Sequence, residues 1–204
     1  MVHELCSLDY DSEYLNSEIE EVISQVEALF DDGTFNDDDD ATWLFGQFFP
    51  EVRDYDDGPQ EEALLSLCFQ VAETESDQEV LRNYLVDLAS EETQLEGQVN
   101  HTILTSLKLQ HALLVKQGRT EDAQAFALDN LSYEAMRKLA FDYALGAKDY
   151  ALAEKLAKEK ESSAYTPRGG MDWSVLLFNV YQASGNREKV RELAKMFLLH
   201  DRLD

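Results

Sequence analysis

The side chains best suited to nucleophilic, acid–base or metal chemistry in this chain are two cysteines, four histidines and a large set of carboxylates. Cys6 and Cys68 lie far apart with no histidine at ligand spacing, which argues against both a disulfide framework and a zinc site. Their acidic or apolar surroundings raise a thiol pKa, so neither is a credible nucleophile. His3, His101, His111 and His200 include no pair three or four residues apart, so they build no helical metal site. His101 and His111 read as ordinary surface or boundary residues.

The carboxylates cluster at Asp31, Asp32 and the run Asp37, Asp38, Asp39 and Asp40. A calcium loop of the EF-hand type needs alternating ligands, glycine at its sixth position and glutamate at its twelfth; neither this run nor residues 54–62 has them. A solvated loop is the expectation. Gly169 and Gly170 lack a Walker pattern, a Gly-x-Gly-x-x-Gly pattern and a preceding strand, and read as a flexible loop rather than a phosphate cradle. No catalytic residue, cofactor site or metal site is expected, and the chain reads as a non-enzyme.

One region suits binding. Trp43, Phe45, Phe48, Phe49 and Tyr55 stand among carboxylates, including Asp37 to Asp40, and aromatic anchors with an acidic rim fit a basic protein or peptide. Against this, apolar side chains at helical spacing are usually buried, so the same aromatics are also expected as the core of an N-terminal bundle.

Charge bounds the partners. The 204 residues carry a net charge of −25, a field that repels phosphate backbones and anionic lipid and attracts basic surfaces. Direct binding of duplex nucleic acid or of a membrane is not expected. Residues 1–62 hold 20 Asp and Glu against one basic residue, Arg53, whereas residues 132–204 hold 11 against 12, so the acidity is an N-terminal property. Nothing approaches the roughly 20 apolar residues that span a bilayer, and the start of the chain has no signal-peptide pattern. A cytoplasmic, reducing setting is the expectation.

The elements that position these residues read as helices throughout. Residues 12–30 place Leu15, Ile19, Val22, Ile23, Val26, Leu29 and Phe30 on one face behind a possible Ser12 cap. An acidic connector over 33–40 leads to a short aromatic segment over 41–52, which Pro50 limits or bends. Residues 60–74 and 77–91 read as two further helices, with Ser76 or Asp77 capping the second.

The remainder repeats. Leu109, Leu113, Gly118, Ala123, Phe126 and Ala127 recur in spacing as Leu139, Tyr143, Lys148, Ala153, Leu156 and Ala157, then as Leu176, Val180, Gly185, Val190, Leu193 and Ala194. A helix that ends at glycine, with a small residue five positions later, describes an antiparallel hairpin whose helices approach closely. One hairpin cannot bury both faces, so neighbours must stack. In the second copy the turn position is Lys148, with Gly146 two residues before it, and the apolar register sets the alignment. Residues 162–170 form an inserted loop. The last helices are mildly basic through Lys155, Lys158, Lys160, Arg187, Lys189, Arg191 and Lys195, a side suited to acidic ligands or to the acidic half of another copy. Intrahelical pairs such as Glu154 with Lys158, Glu188 with Arg191 and Glu192 with Lys195 are the competing use of these charges.

The segments 117–123, 147–153 and 184–190 resemble the turn of tetratricopeptide repeats. Residues 131–140, continuing through Lys148, Asp149 and Tyr150 to Trp173 and on through 190–195, resemble the helical region that follows the SWIM zinc finger in some bacterial proteins, over roughly residues 100–202. That finger's Cys-x-Cys and Cys-x-His are absent, so the resemblance implies the helical part alone.

Together these readings predict an all-α chain of antiparallel hairpins stacked as a short right-handed α-solenoid. An acidic N-terminal helical region over 1–95 precedes the repeat region over 96–204. The expected function is a protein-interaction module, with an acidic accessory or DNA-mimic partner of a basic nucleic-acid-binding protein as the alternative, and a cryptic enzyme behind both.

Overall fold

A computed structural model of the chain describes residues 38–54, 59–90, 101–161 and 173–200, together with Gln25 and Ala28. Nine helices are bounded among them: α1 Asp38–Asp54, α2 Pro59–Val71, α3 Glu75–Ser90, α4 His101–Lys116, α5 Thr120–Asp129, α6 Glu134–Gly146, α7 Tyr150–Glu161, α8 Trp173–Ala183 and α9 Arg187–His200. No strand occurs among the described residues, as the three-and-four spacing predicts. The helix expected over 12–30 lies outside the described residues except for Gln25 and Ala28, which are helical and exposed. The loop expected over 162–170 also lies outside them.

Two compact units divide the chain, Met1–Thr120 and Glu121–Asp204. This packing boundary falls inside the first repeat as read from sequence, whereas the sequence boundary is drawn at 95/96. The difference comes from α4, whose polar face is built into the first unit. The Ser106 hydroxyl and the Gln110 amide (3.0 Å) both donate to the carbonyl of Leu85 in α3. Lys116 Nζ reaches the carbonyls of Phe69 (3.3 Å) and Gln70 (3.2 Å) at the C-terminal end of α2, and the carboxylate of Glu73 at 2.8 Å. A cation there satisfies carbonyls that a helix end leaves open and faces the negative end of its dipole.

Within the first unit, α1 packs on α2 and α3, and α4 on α2 and α3. Leu44, Phe45, Val52, Leu65, Leu81, Leu85 and Leu113 close the core between them. Several boundaries differ from the sequence reading, among them the end of α2, which stops at Val71 rather than at 74. Helix α1 begins at Asp38, so Asp38, Asp39 and Asp40 are its first turn rather than a connector, where carboxylates suit the positive end of the dipole. It also continues past Pro50 to Asp54. Helix α3 begins at Glu75, and its cap is Thr74: the Thr74 hydroxyl accepts the Asp77 N–H (3.2 Å) and donates to the Asp77 carboxylate (2.7 Å). Asp77 is thus the third residue of the helix, closing a reciprocal cap. Thr42 of α1 donates to the same carboxylate at 3.0 Å.

In the second unit α6, α7, α8 and α9 pack in succession, each on the next. Their shared core contains Ala140, Phe141, Ala144, Ala153, Leu156, Ala157, Leu177, Val180 and Leu193, with Trp173 edge-on to Phe141 at 6.1 Å. Contacts between helices that follow one another in sequence are what stacked hairpins produce.

Candidate functional site

The three repeat turns are the same object. Residues 118, 148 and 185 all have left-handed backbones, at φ 71° for Gly118, 59° for Lys148 and 72° for Gly185. At each, the left-handed residue donates three residues back, to Val115, Leu145 and Gln182. The following N–H donates five back, to Leu114, Ala144 and Tyr181. These two bonds form the Schellman ending of an α-helix. In the second and third turns the residue that completes it is already the cap of the next helix: Asp149 Oδ1 accepts the Leu152 N–H (3.0 Å) and Asn186 Oδ1 accepts the Lys189 N–H (3.2 Å). Ala123 and Ala153, five positions beyond their turns, are fully buried, whereas Val190 is half-buried. The register read from sequence is therefore the register of the turns, and Lys148 occupies the glycine position despite Gly146 nearby.

Helix α1 carries the proposed anchors and divides them. Ala41, Leu44, Phe45 and Val52 are buried, and Phe48 and Phe49 pack against the same core. Phe45 stacks on Phe49 at 5.2 Å, and Phe49 meets Tyr84 edge-on at 5.5 Å. Trp43 sits on the other side of the helix and is 62% exposed. Helical geometry separates them, since Ala41, Leu44, Phe45, Phe48 and Val52 follow the three-and-four spacing and Trp43 falls outside it. Asp39 and Asp40 are exposed in the first turn. The backbone of Asp38 is described but its side chain is not, and Asp37 and Tyr55 lie outside the described residues.

Charge divides unequally between the two units. The unit Met1–Thr120 contains 28 Asp and Glu against 5 Lys and Arg, and the unit Glu121–Asp204 contains 14 against 12. Net charges are −23 and −2, so nearly all of the acidity belongs to the unit that exposes Trp43.

The groups with altered acidity lie elsewhere. Glu154 Oε1 receives Lys158 Nζ and Lys189 Nζ, each at 2.6 Å, and the Tyr181 hydroxyl at 3.0 Å. The lysine hydrogen bonds hold its carboxyl down at about 2. Burial, ahead of the bond to Glu154, pushes the Tyr181 hydroxyl up. Lys189 also lies 4.7 Å from the centre of the Tyr181 ring. With three donors on one carboxylate oxygen, the cluster is a structural node. Burial pushes the Cys68 thiol up to about 12, which removes its thiolate at neutral pH. His111, read from sequence as a surface or boundary residue, is 7% exposed, and burial lowers its pKa. It lies on the face of α4 that buries Ser106, Leu107, Gln110 and Leu113 as well, a face whose polar residues concealed it from a hydrophobicity pattern.

A recess of about 420 Å³ in the first unit is lined by Glu75, Gln78, Glu79, Arg82, Gln117 and Arg119. Its charges are of both signs, with Arg82 3.5 Å from Glu79, and its lining holds no serine, cysteine or histidine. Among the described residues, no group of three or more side chains is placed to hold a metal ion, and no helix is long and apolar enough to cross a membrane.

No protein-family model matches the chain, and no curated protein or solved structure matches it significantly.

Proposed function

We propose that this chain is a non-enzymatic helical-repeat module that binds a protein or peptide, and that the binding surface is the acidic first unit centred on Trp43. The observation that carries the reading is the exposure of Trp43 on a unit with net charge −23, while Phe45, Phe48 and Phe49 of the same helix serve the core. An exposed tryptophan in an acidic field offers a basic partner both apolar area and a π-face for an arginine or lysine. The architecture that goes with this reading is a short right-handed α-solenoid of tetratricopeptide-like hairpins, related to the helical region that follows SWIM zinc fingers. Its support is the threefold recurrence of one turn geometry. A cytoplasmic setting suits the buried free thiol of Cys68.

Tryptophan fluorescence tests the surface directly. Trp173 is 3% exposed, so emission quenched by acrylamide belongs to Trp43. Titration with a lysine- and arginine-rich peptide is expected to shift that emission to the blue and protect it from quenching, and added salt is expected to reverse both changes. An unchanged Trp43 signal on binding, or an equal change with an acidic peptide, overturns the reading.

The concentration of charge favours one second reading, an acidic accessory of a basic nucleic-acid-binding protein. Duplex DNA competing with this chain for that partner is the outcome that distinguishes it.

A further inference from the structure

The last helix presents a second surface of opposite sign. The inward row of α9 is Val190, Leu193 and Phe197, which packs with α8 and the core of the second unit. On its exposed side Arg187, Arg191 and Lys195 follow one another at intervals of four residues, which aligns them along one face of a helix. Leu198, 67% exposed, continues that line and Met196, 51% exposed, lies beside it. The intrahelical pairs expected from sequence divide here: Glu154 with Lys158 is formed, whereas Arg187, Arg191 and Lys195 have no ion-pair partner among the described residues. Lys189, the remaining cation of α9, is held by Glu154. Among the described residues, three cations without an ion-pair partner thus stand beside two exposed apolar side chains on the near-neutral unit, with the exposed Glu188 and Glu192 flanking them.

We propose that this face of α9 docks on the acidic first unit of a second copy of the chain, with Met196 and Leu198 meeting Trp43 and the three cations meeting the carboxylates around it. The proposal rests on the reading of Trp43 as a binding surface and names a partner for it. Charge complementarity selects the occupant. The unit that carries α9 is near neutral, at −2, and adds little repulsion to its three cations, while the first unit, at −23, offers the matching field and an exposed aromatic. Two different patches meet, so the interface is heterologous and joins copies head to tail. A helix of 14 residues is about 21 Å long, which buries less than the roughly 1,200 Å² of a standard stable interface, so the association is weak and reversible.

Sedimentation of the full chain over a range of concentrations and salt tests the proposal. Concentration-dependent association is expected at low ionic strength, weakened about tenfold or more at physiological salt. One variant carries Arg191→Glu and Lys195→Glu, with Arg191→Gln and Lys195→Gln as a milder version; circular dichroism checks that both remain helical. A second variant carries Trp43→Ala, Asp39→Asn and Asp40→Asn. Each variant alone is expected to be monomeric, and an equimolar mixture is expected to form a one-to-one dimer, because each retains the patch that the other lacks. A monomeric wild-type chain at low salt overturns the proposal, as does association unchanged by the α9 substitutions. Loss of association in the α9 variant but not in the Trp43 variant overturns Trp43 as its counterpart and, with it, the head-to-tail pairing stated here. The peptide titration of Trp43 then decides the earlier reading separately.

Discussion

Lys189 Nζ lies 2.6 Å from Glu154 Oε1, so the final helix is tied to α7 across 35 residues of sequence. Lys158 at 2.6 Å and the Tyr181 hydroxyl at 3.0 Å share that oxygen, which makes Glu154 the common acceptor of α7, α8 and α9.

Removing its charge has a pH signature. The carboxyl is held at about 2 in the folded chain against an ordinary value of 4.5, so its stabilisation is present above pH 4.5 and is lost as pH falls through about 2. The partners are partly exposed and solvent screens them, so Glu154→Gln is expected to cost about 1 kcal/mol at neutral pH. Urea midpoints are expected to differ between the two proteins at neutral pH and to converge as pH falls through that window.

His111 acts in a higher window. Burial lowers its folded pKa below the ordinary 6.5, so the unfolded chain binds the proton more readily and stability falls as pH drops below 6.5. In His111→Gln the urea midpoint is expected to be less sensitive to pH in that range than in the parent. An equal slope in the two proteins would remove His111 from the account.

The repeated turns give predictions of opposite sign. A side chain in the left-handed region is strained and glycine is not, so Lys148→Gly is expected to stabilise by about 0.5–1 kcal/mol. Nothing lies within 4 Å of a Cβ built at Gly118 or Gly185, so the cost of Gly118→Ala or Gly185→Ala is one of backbone alone, about 1 kcal/mol. Thermal denaturation of the three variants measures both signs.

Equivalent positions after those turns differ in room. Ala153 is fully buried, and Ala153→Leu is expected to destabilise by about 2–3 kcal/mol through overpacking. Val190, half-buried at the same place in the last hairpin, is expected to accept leucine at a cost below about 1 kcal/mol. Equal losses at the two sites would contradict the difference in packing.

Much of the fold was legible because its causes are local. A left-handed helix end needs glycine or a tolerated substitute, and a close helical approach needs a small residue at a fixed distance. Gly118, Gly185, Ala123 and Ala153 therefore declare their turns in the sequence. Lys148 is legible only by analogy with the other two copies. The separation of Trp43 from Phe45 and Phe48 was also present in the helical period, although the shared acidic surroundings grouped them as one set of anchors. The cap of α3 was within reach as Thr74-x-x-Asp77, but Ser76 and Asp77 offered competing starts that only the helix itself resolved.

By itself, then, the sequence determined the helical class, the register of three left-handed helix endings and the steep fall of acidity along the chain, because periodicity, turn chemistry and charge count depend on neighbouring residues or on composition. Only the tertiary structure decided that α4 belongs with the first unit, that His111 is buried, that Glu154 gathers Lys158, Lys189 and Tyr181, and that Arg187, Arg191 and Lys195 have no ion-pair partner among the described residues. Those outcomes depend on which helix faces which, and residues brought together from 35 positions apart leave no local pattern to read.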